Sequence, residues 1–137
     1  MLKAKTGGGA AAASGGGTAV GQALYDLGGE STWTCPDGVT SVCVVCIGGG
    51  EAMQGSAWAS SGGRAGGLGW KNDIPVSAGT GYALMVGRAG GSGRDPHSVG
   101  SGGSYHGGDS WFIDKATVHG EGGGKGSGYG GDGGGNG

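Results

Sequence analysis

The sequence predicts an all-β protein, a small sandwich-like core interleaved with glycine-rich extended segments. Three observations lead there. Glycine supplies 42 of the 137 residues, close to a third, where ordinary domains carry roughly 7%. Hydrophobic residues make up only 34%, so the core is small. The apolar residues fall in short runs rich in β-branched and aromatic side chains, separated by stretches in which glycine dominates.

Residues 1–29 read as an N-terminal attachment arm. The arm has a mildly basic start (Met1 to Lys5), two Gly/Ala/Ser patches, and Leu24, Tyr25 and Leu27 as side chains able to dock it. Residues 30–137 read as one glycine-rich β domain. Ser31 to Cys35 is a β-prone run, and Pro36-Asp37-Gly38 is a turn, because Pro presets φ and Gly accepts positive φ. Val39 to Ile47 (VTSVCVVCI) is dense in β-branched residues and reads as a strand, with a hairpin to the preceding run expected. Adjacent Val44 and Val45 interrupt alternation, which a strand covered on both faces or a bulge accommodates. Trp70 to Val76 and Tyr82 to Val86 are strands around a turn, and Pro75 puts the first at an edge or a bulge. Ser110 to Asp114 and Ala116 to His119 form a last short pair. Trp33, Trp70, Tyr82, Trp111 and Phe112 are the expected aromatic core.

Between these runs lie glycine-rich stretches of roughly 20 residues, too long for ordinary structureless loops of a compact domain. Without side chains, extended backbones can approach closely and hydrogen-bond to their neighbours, so polyglycine-II-like threads are one arrangement open to them. Collagen is excluded, since glycine is not strictly every third residue and only 3 prolines are present.

The chemistry-bearing residues point away from catalysis. The net charge is −2, from 8 basic and 10 acidic residues that are scattered, so no basic stripe exists to track nucleic acid. No apolar run approaches the ~20 residues of a membrane span, and the Ala10–Ala13 stretch is too short for a signal peptide, so synthesis in the cytoplasm is expected. Cys35, Cys43 and Cys46 are an odd set, which argues against a disulfide framework. Cys43-Val-Val-Cys46 has the form of a redox or metal motif, but residues three apart in a strand face opposite ways, which favours buried small hydrophobes. His97, His106 and His119, with Asp95, Asp109 and Asp114 nearby, lack ligand spacing, so no metal is expected. The Gly128-x-Gly130-x-x-Gly133 match to a dinucleotide fingerprint lacks its strand-then-helix context, and the Gly120 to Lys125 stretch fails as a phosphate loop. No nucleophile arrangement or carboxylate pair stands out, so neither enzyme activity nor a cofactor is expected. Trp58, Tyr105 and Tyr129 sit in glycine-rich stretches and are the candidate ligand-binding residues, able to stack on a sugar or pack against a partner.

The order of these pieces is familiar. The run from Trp33 to Val42, the Gly48–Gly50 triplet, the segment Gly69 to Val76 followed by Gly79 and Tyr82 to Gly87, and the close at Gly107 to Phe112 resemble the glycine-rich domain of bacteriophage tail-fibre and other virion structural proteins. The resemblance covers about residues 30–137. It implies a non-enzymatic virion structural protein at an exposed fibre end or particle surface. The expected partners are further copies, other virion proteins and a host-surface glycan, with no nucleic acid and no membrane insertion. Some phage adhesins of similar composition pack glycine-rich segments into polyglycine-II helices that present host-binding loops. The alternative expectation is a self-assembling extracellular filament or matrix subunit, built by strand or arm exchange.

Overall fold

The computed structural model describes residues 2–6, 21–52, 54–56, 59–61, 63–91, 105–124 and 129–135. Its strands are β1 (Leu2–Thr6), β2 (Gln22–Tyr25), β3 (Gly29–Thr34), β4 (Ser41–Ile47), β5 (Gln54–Ser56), β6 (Ala59–Ser61), β7 (Leu68–Pro75), β8 (Gly81–Val86), β9 (Ser110–Phe112), β10 (Asp114–Gly120), β11 (Tyr129–Gly130) and β12 (Gly133–Gly135). One sheet has the order β12-β7-β4-β1-β2, a second β11-β10-β9-β8-β3, and β5 and β6 form a separate hairpin. The first two sheets pack face to face, with β10 and β9 against β4 and β7. The fold is the expected all-β sandwich.

β4 shows how so small a core is filled. Val42, Val44 and Cys46 point inward and are fully buried, while Cys43, Val45 and Ile47 on the other face are half-buried. The adjacent valines therefore alternate after all, and the outer face is apolar too. The expected bulge lies on the partner: pairing with β7 shifts register between Val42 and Val44, with Asp73 in left-handed backbone at φ 52°. β12 pairs with Leu68, Gly69 and Trp70, so among the described residues the Pro75 end of β7 has β4 alone beside it and no ladder bond is lost to proline.

Opposite β4, Trp33, Phe112 and the half-buried Tyr82 form a triangle, with centroids 6.0, 5.9 and 6.0 Å apart in tilted and edge-on geometry. Leu84, Val86 and Val118 complete the inner face. Burial of a side chain such as Phe112 contributes about 1.5–3 kcal/mol.

Two aromatics expected in the core lie elsewhere. Trp70 is 36% exposed and Trp111 only half-buried. The reason is close approach: a Cβ at Gly69 would stand 1.9 Å from the His119 carbonyl, so the inward position of β7 must be glycine and Trp70 falls outward. In β9, Ser110 and Phe112 take the inner positions and leave Trp111 on the outer face.

The expected β3–β4 hairpin is not formed. β3 pairs with β8 and β4 with β1 and β7, so the Pro36–Gly38 turn carries the chain from one sheet to the other. The turn is real, with Val39 N–H donating to the Pro36 carbonyl at 3.3 Å and Gly38 at φ 79°. The β7–β8 connection crosses between sheets in the same way. The two crossings bind each other: Cys35 N–H donates to Thr80 O at 2.9 Å, and Gly79 N–H to Cys35 O at 2.8 Å. Leu2–Thr6 lies as a strand between β4 and β2. Of the three side chains expected to dock the N-terminal segment, Tyr25 packs on the core, whereas Leu24 is exposed because β2 alternates and turns Ala23 and Tyr25 inward, and Leu27, beyond the end of β2, is exposed too.

Two exposed carboxylates anchor backbone at irregular points of β10 and β7. Asp114 accepts the Thr117 N–H at 2.6 Å, and Asp132 accepts the Asn72 N–H at 2.8 Å and meets Lys71. These backbone hydrogen bonds are the leading cause that holds both carboxyls below their ordinary value of 3.8. A depressed folded-state value means that the stabilisation is complete above the unfolded value and is lost as pH falls through the folded one. Melting temperature should therefore hold steady from neutral pH down to mild acid, then drop below about pH 3.8. The double variant Asp114→Asn/Asp132→Asn should flatten that drop in a pH series of thermal melts, and an unchanged acid limb would refute the assignment.

Candidate binding surface at the tip of the glycine threads

From one end of the sandwich the chain continues as five short extended threads, residues 48–52, 63–67, 87–91, 105–109 and 121–124. Their hydrogen bonds show why they are not a sheet. In the first thread, Gly48 and Glu51 donate to Gly67 and Arg64 of the second, at 2.9 and 2.8 Å, while Gly49 and Ala52 donate to Gly108 and Tyr105 of the fourth, each at 2.8 Å. The partner repeats every third residue, where a β-strand repeats every second. The same thread also accepts from Gly123 of the fifth and Gly90 of the third, at 2.8 and 2.7 Å, so it has four neighbours where a strand has two. This is the polyglycine-II-like pattern, with the first thread at the centre.

The spacing tolerates nothing but hydrogen at the contacts. A Cβ on Gly48, Gly49, Gly66, Gly87, Gly107 or Gly122 would stand 1.9–2.1 Å from a backbone carbonyl oxygen of another thread. Ser110, fully buried, ties the threads to the sandwich: its Oγ donates to the Ile47 carbonyl at 2.7 Å and accepts the Gly87 N–H at 2.9 Å. Asp109 adds a second tie, accepting the Gly122 N–H at 2.8 Å and pairing with Lys115.

The pairings 48 with 67 and 51 with 64 run antiparallel, as do 49 with 108 and 52 with 105. The third and fifth threads run parallel to the first. The connections 53–62, 92–104 and 125–128 consequently all begin or end at one end of the bundle, the end farthest from the Ser110 tie. At about 3.1 Å per residue, a five-residue thread holds that tip roughly 15 Å from its root.

The tip gathers residues distant in sequence. Tyr105 opens the fourth thread and is 39% exposed. His106 follows it, with Nδ1 3.7 Å from Glu51 Oε1 and no hydrogen-bond partner for that nitrogen among the described residues. Glu51 Oε2 accepts the Arg64 N–H at 3.2 Å. Gly124, in left-handed backbone at φ 86°, closes over the pair, where a Cβ would lie 2.3 Å from His106 Nδ1. Tyr105, Glu51, His106 and the exposed Arg64 thus sit at one end of the bundle, side chains of the kinds that stack on and hydrogen-bond to a polar ligand with one apolar face.

Of the three residues singled out by sequence, Tyr105 is at this tip. Trp58 lies outside the described residues, within the connection that contains β5 and β6 and leaves the first thread at the tip. Tyr129 is elsewhere: its backbone pairs with Gly120, at the root of the fifth thread. The meeting of Glu51, Arg64 and His106 escapes a sequence reading because only the antiparallel register of the threads brings them together.

The other chemistry-bearing residues do not join the site. Cys43 and Cys46 face opposite sides of β4, and burial pushes the Cys46 thiol up to about 12. Burial also raises Cys35, and both thiols stay protonated. His119 Nδ1 is 2.7 Å from the Lys115 carbonyl, and His97 and Asp95 lie outside the described residues. Among the described residues no three His, Cys, Asp or Glu side chains gather as a metal site.

A two-sheet sandwich that extends into interlocked glycine threads and exposes the ends of three connections defines a glycine-rich β scaffold. The chain belongs to the glycine-rich domain family, whose model matches residues 26–137. No curated protein and no solved structure matches it.

Proposed function

We propose that this protein is a non-enzymatic structural component of a virion, placed at an exposed fibre end or surface, and that the thread tip contacts a host-surface glycan. The observation that carries this reading is the convergence of three connections at one end of a bundle joined backbone to backbone. Such a bundle is held chiefly by backbone hydrogen bonds between threads, so it suits a stalk that holds the connections at a fixed distance. Tyr105 supports the glycan part, since an exposed aromatic ring at the end of the bundle that also carries the exposed Arg64 suits stacking on a sugar. The resemblance of residues 30–137 to virion glycine-rich domains agrees with this location.

Two measurements test it. Gold-labelled antibody against the chain should decorate fibre ends or the surface of purified particles; unlabelled particles would refute the location. In adsorption assays with host cells, Tyr105→Ala and Trp58→Ala should each slow attachment on the order of tenfold, as loss of an aromatic anchor does. Tyr129→Ala, at the root of the threads, should leave attachment unchanged. Wild-type adsorption by the Tyr105 and Trp58 variants would eliminate the glycan contact while leaving the structural role standing.

A further inference from the structure

We infer that Leu2–Thr6 is an exchangeable strand, and that the slot it fills between β4 and β2 is the joint through which copies of this chain interlock. The partner is a second copy of the same chain. The inference concerns that joint alone and holds whether or not the assembly is a virion.

The first observation is where the strand lies. β1 pairs with β4 along its length, from Leu2 opposite Cys46 to Thr6 opposite Val42, and on its other side with β2, from Leu2 opposite Tyr25 to Lys5 opposite Gln22. Among the described residues β2 has no other strand beside it, so it joins the sheet only through β1. The slot is therefore bounded on both sides by backbone that β1 alone satisfies.

The second observation is that β1 and β2 both precede residue 26, where the family match begins. The glycine-rich domain itself ends at the edge of β4. That edge belongs to the strand carrying the buried Val42, Val44 and Cys46, and an unpaired edge on a core strand invites another chain. Here β1 covers it.

The third observation is the length of the tether. Antiparallel neighbours can be joined by two residues, yet residues 7–21, mostly glycine and alanine, separate β1 from β2. Fifteen residues reach up to about 50 Å when extended, ample to deliver β1 to the slot of an adjacent copy. Exchange re-forms the same register pairs, so closed and exchanged forms differ mainly in loop entropy and concentration. A tethered strand competes at an effective concentration of about millimolar. Dilute chains accordingly close on themselves, and crowded copies exchange. Reciprocal exchange gives a closed pair, and one-way exchange gives an open chain of copies.

The register makes this testable. Lys5 stands opposite Cys43, and directly opposed Cα atoms in antiparallel pairs lie within disulfide range. Lys5→Cys is refolded from denaturant across micromolar to millimolar concentrations, oxidised, and run on a non-reducing gel. Exchange predicts disulfide-linked dimers or a ladder whose share rises with refolding concentration and is absent from Lys5→Cys/Cys43→Ser. A single-chain product carrying the 5–43 bond at every concentration overturns the inference. Light scattering of the unmodified chain, refolded over the same range and then diluted, decides the matter independently should the bond not form. Masses of two or more chains that persist on dilution support exchange, and the mass of one chain throughout overturns it.

Discussion

Gly107→Ala is expected to lower the melting temperature by roughly 10–20 °C, while Gly91→Ala leaves it unchanged or slightly raised. A Cβ at position 107 would stand 1.9 Å from the Gly49 carbonyl oxygen and 2.9 Å from that of Gly50, both backbone atoms of the central thread. A flexible side chain could rotate away, but a carbonyl hydrogen-bonded within the bundle cannot. Gly49 N–H is bonded to Gly108, and its carbonyl receives Gly123 N–H, so moving the first thread disturbs the fourth and fifth together. Overpacking usually costs about 1–3 kcal/mol and occasionally more, and a clash with backbone held on both sides belongs at or above the top of that range, a large share of the roughly 5–15 kcal/mol that stabilises a typical domain. Among the described residues Gly91 has nothing within 4 Å of its would-be Cβ. There alanine restricts only the unfolded chain and adds up to about 1 kcal/mol. Calorimetric melts of the two variants separate a steric requirement from a general preference for glycine, and equal effects at both positions would refute the thread packing.

Ser110→Ala should destabilise the protein by about 2–4 kcal/mol, at the upper end for loss of one hydroxyl. The side chain is completely buried and makes two hydrogen bonds, one to the last residue of β4 and one from the first residue of the third thread. Alanine leaves the Ile47 carbonyl and the Gly87 N–H without this partner, in a place that holds sandwich and threads together. The urea midpoint should fall, and hydrogen exchange at the Gly87 amide should accelerate by more than at core amides of β4. A loss below about 0.5 kcal/mol, the range of ordinary surface changes, would show that the joint does not depend on Ser110.

Much of the strand content was legible in the sequence. The runs around Trp33, Val42, Ile74, Leu84, Phe112 and Val118 each become strands, because β-branched and aromatic side chains suit a half-buried pleated surface whatever their neighbours. Pairing was not legible. The Pro36–Gly38 turn has sound turn chemistry, yet a turn of that length serves equally to pair two strands or to pass from one sheet to another. Trp70 illustrates the same limit. Its aromatic character suggests the core, but the approach of β10 to Gly69 decides which face of β7 is inward.

At the candidate site, Tyr105 could be picked out because an aromatic in a glycine-rich stretch stands alone. The meeting of Glu51, Arg64 and His106 could not, since nothing in their spacing announces it. By itself the sequence determined an all-β protein whose apolar residues make a small sandwich and whose glycines admit close backbone contact. Both follow from side-chain volume and branching, which are local properties. Only the tertiary structure decided which glycines touch, which way each thread runs and which side chains reach the tip. Those depend on the relative register of threads up to about seventy residues apart in the chain, set by hydrogen bonds such as Gly49 to Gly108 and Gly123 to Gly49 that no single segment encodes.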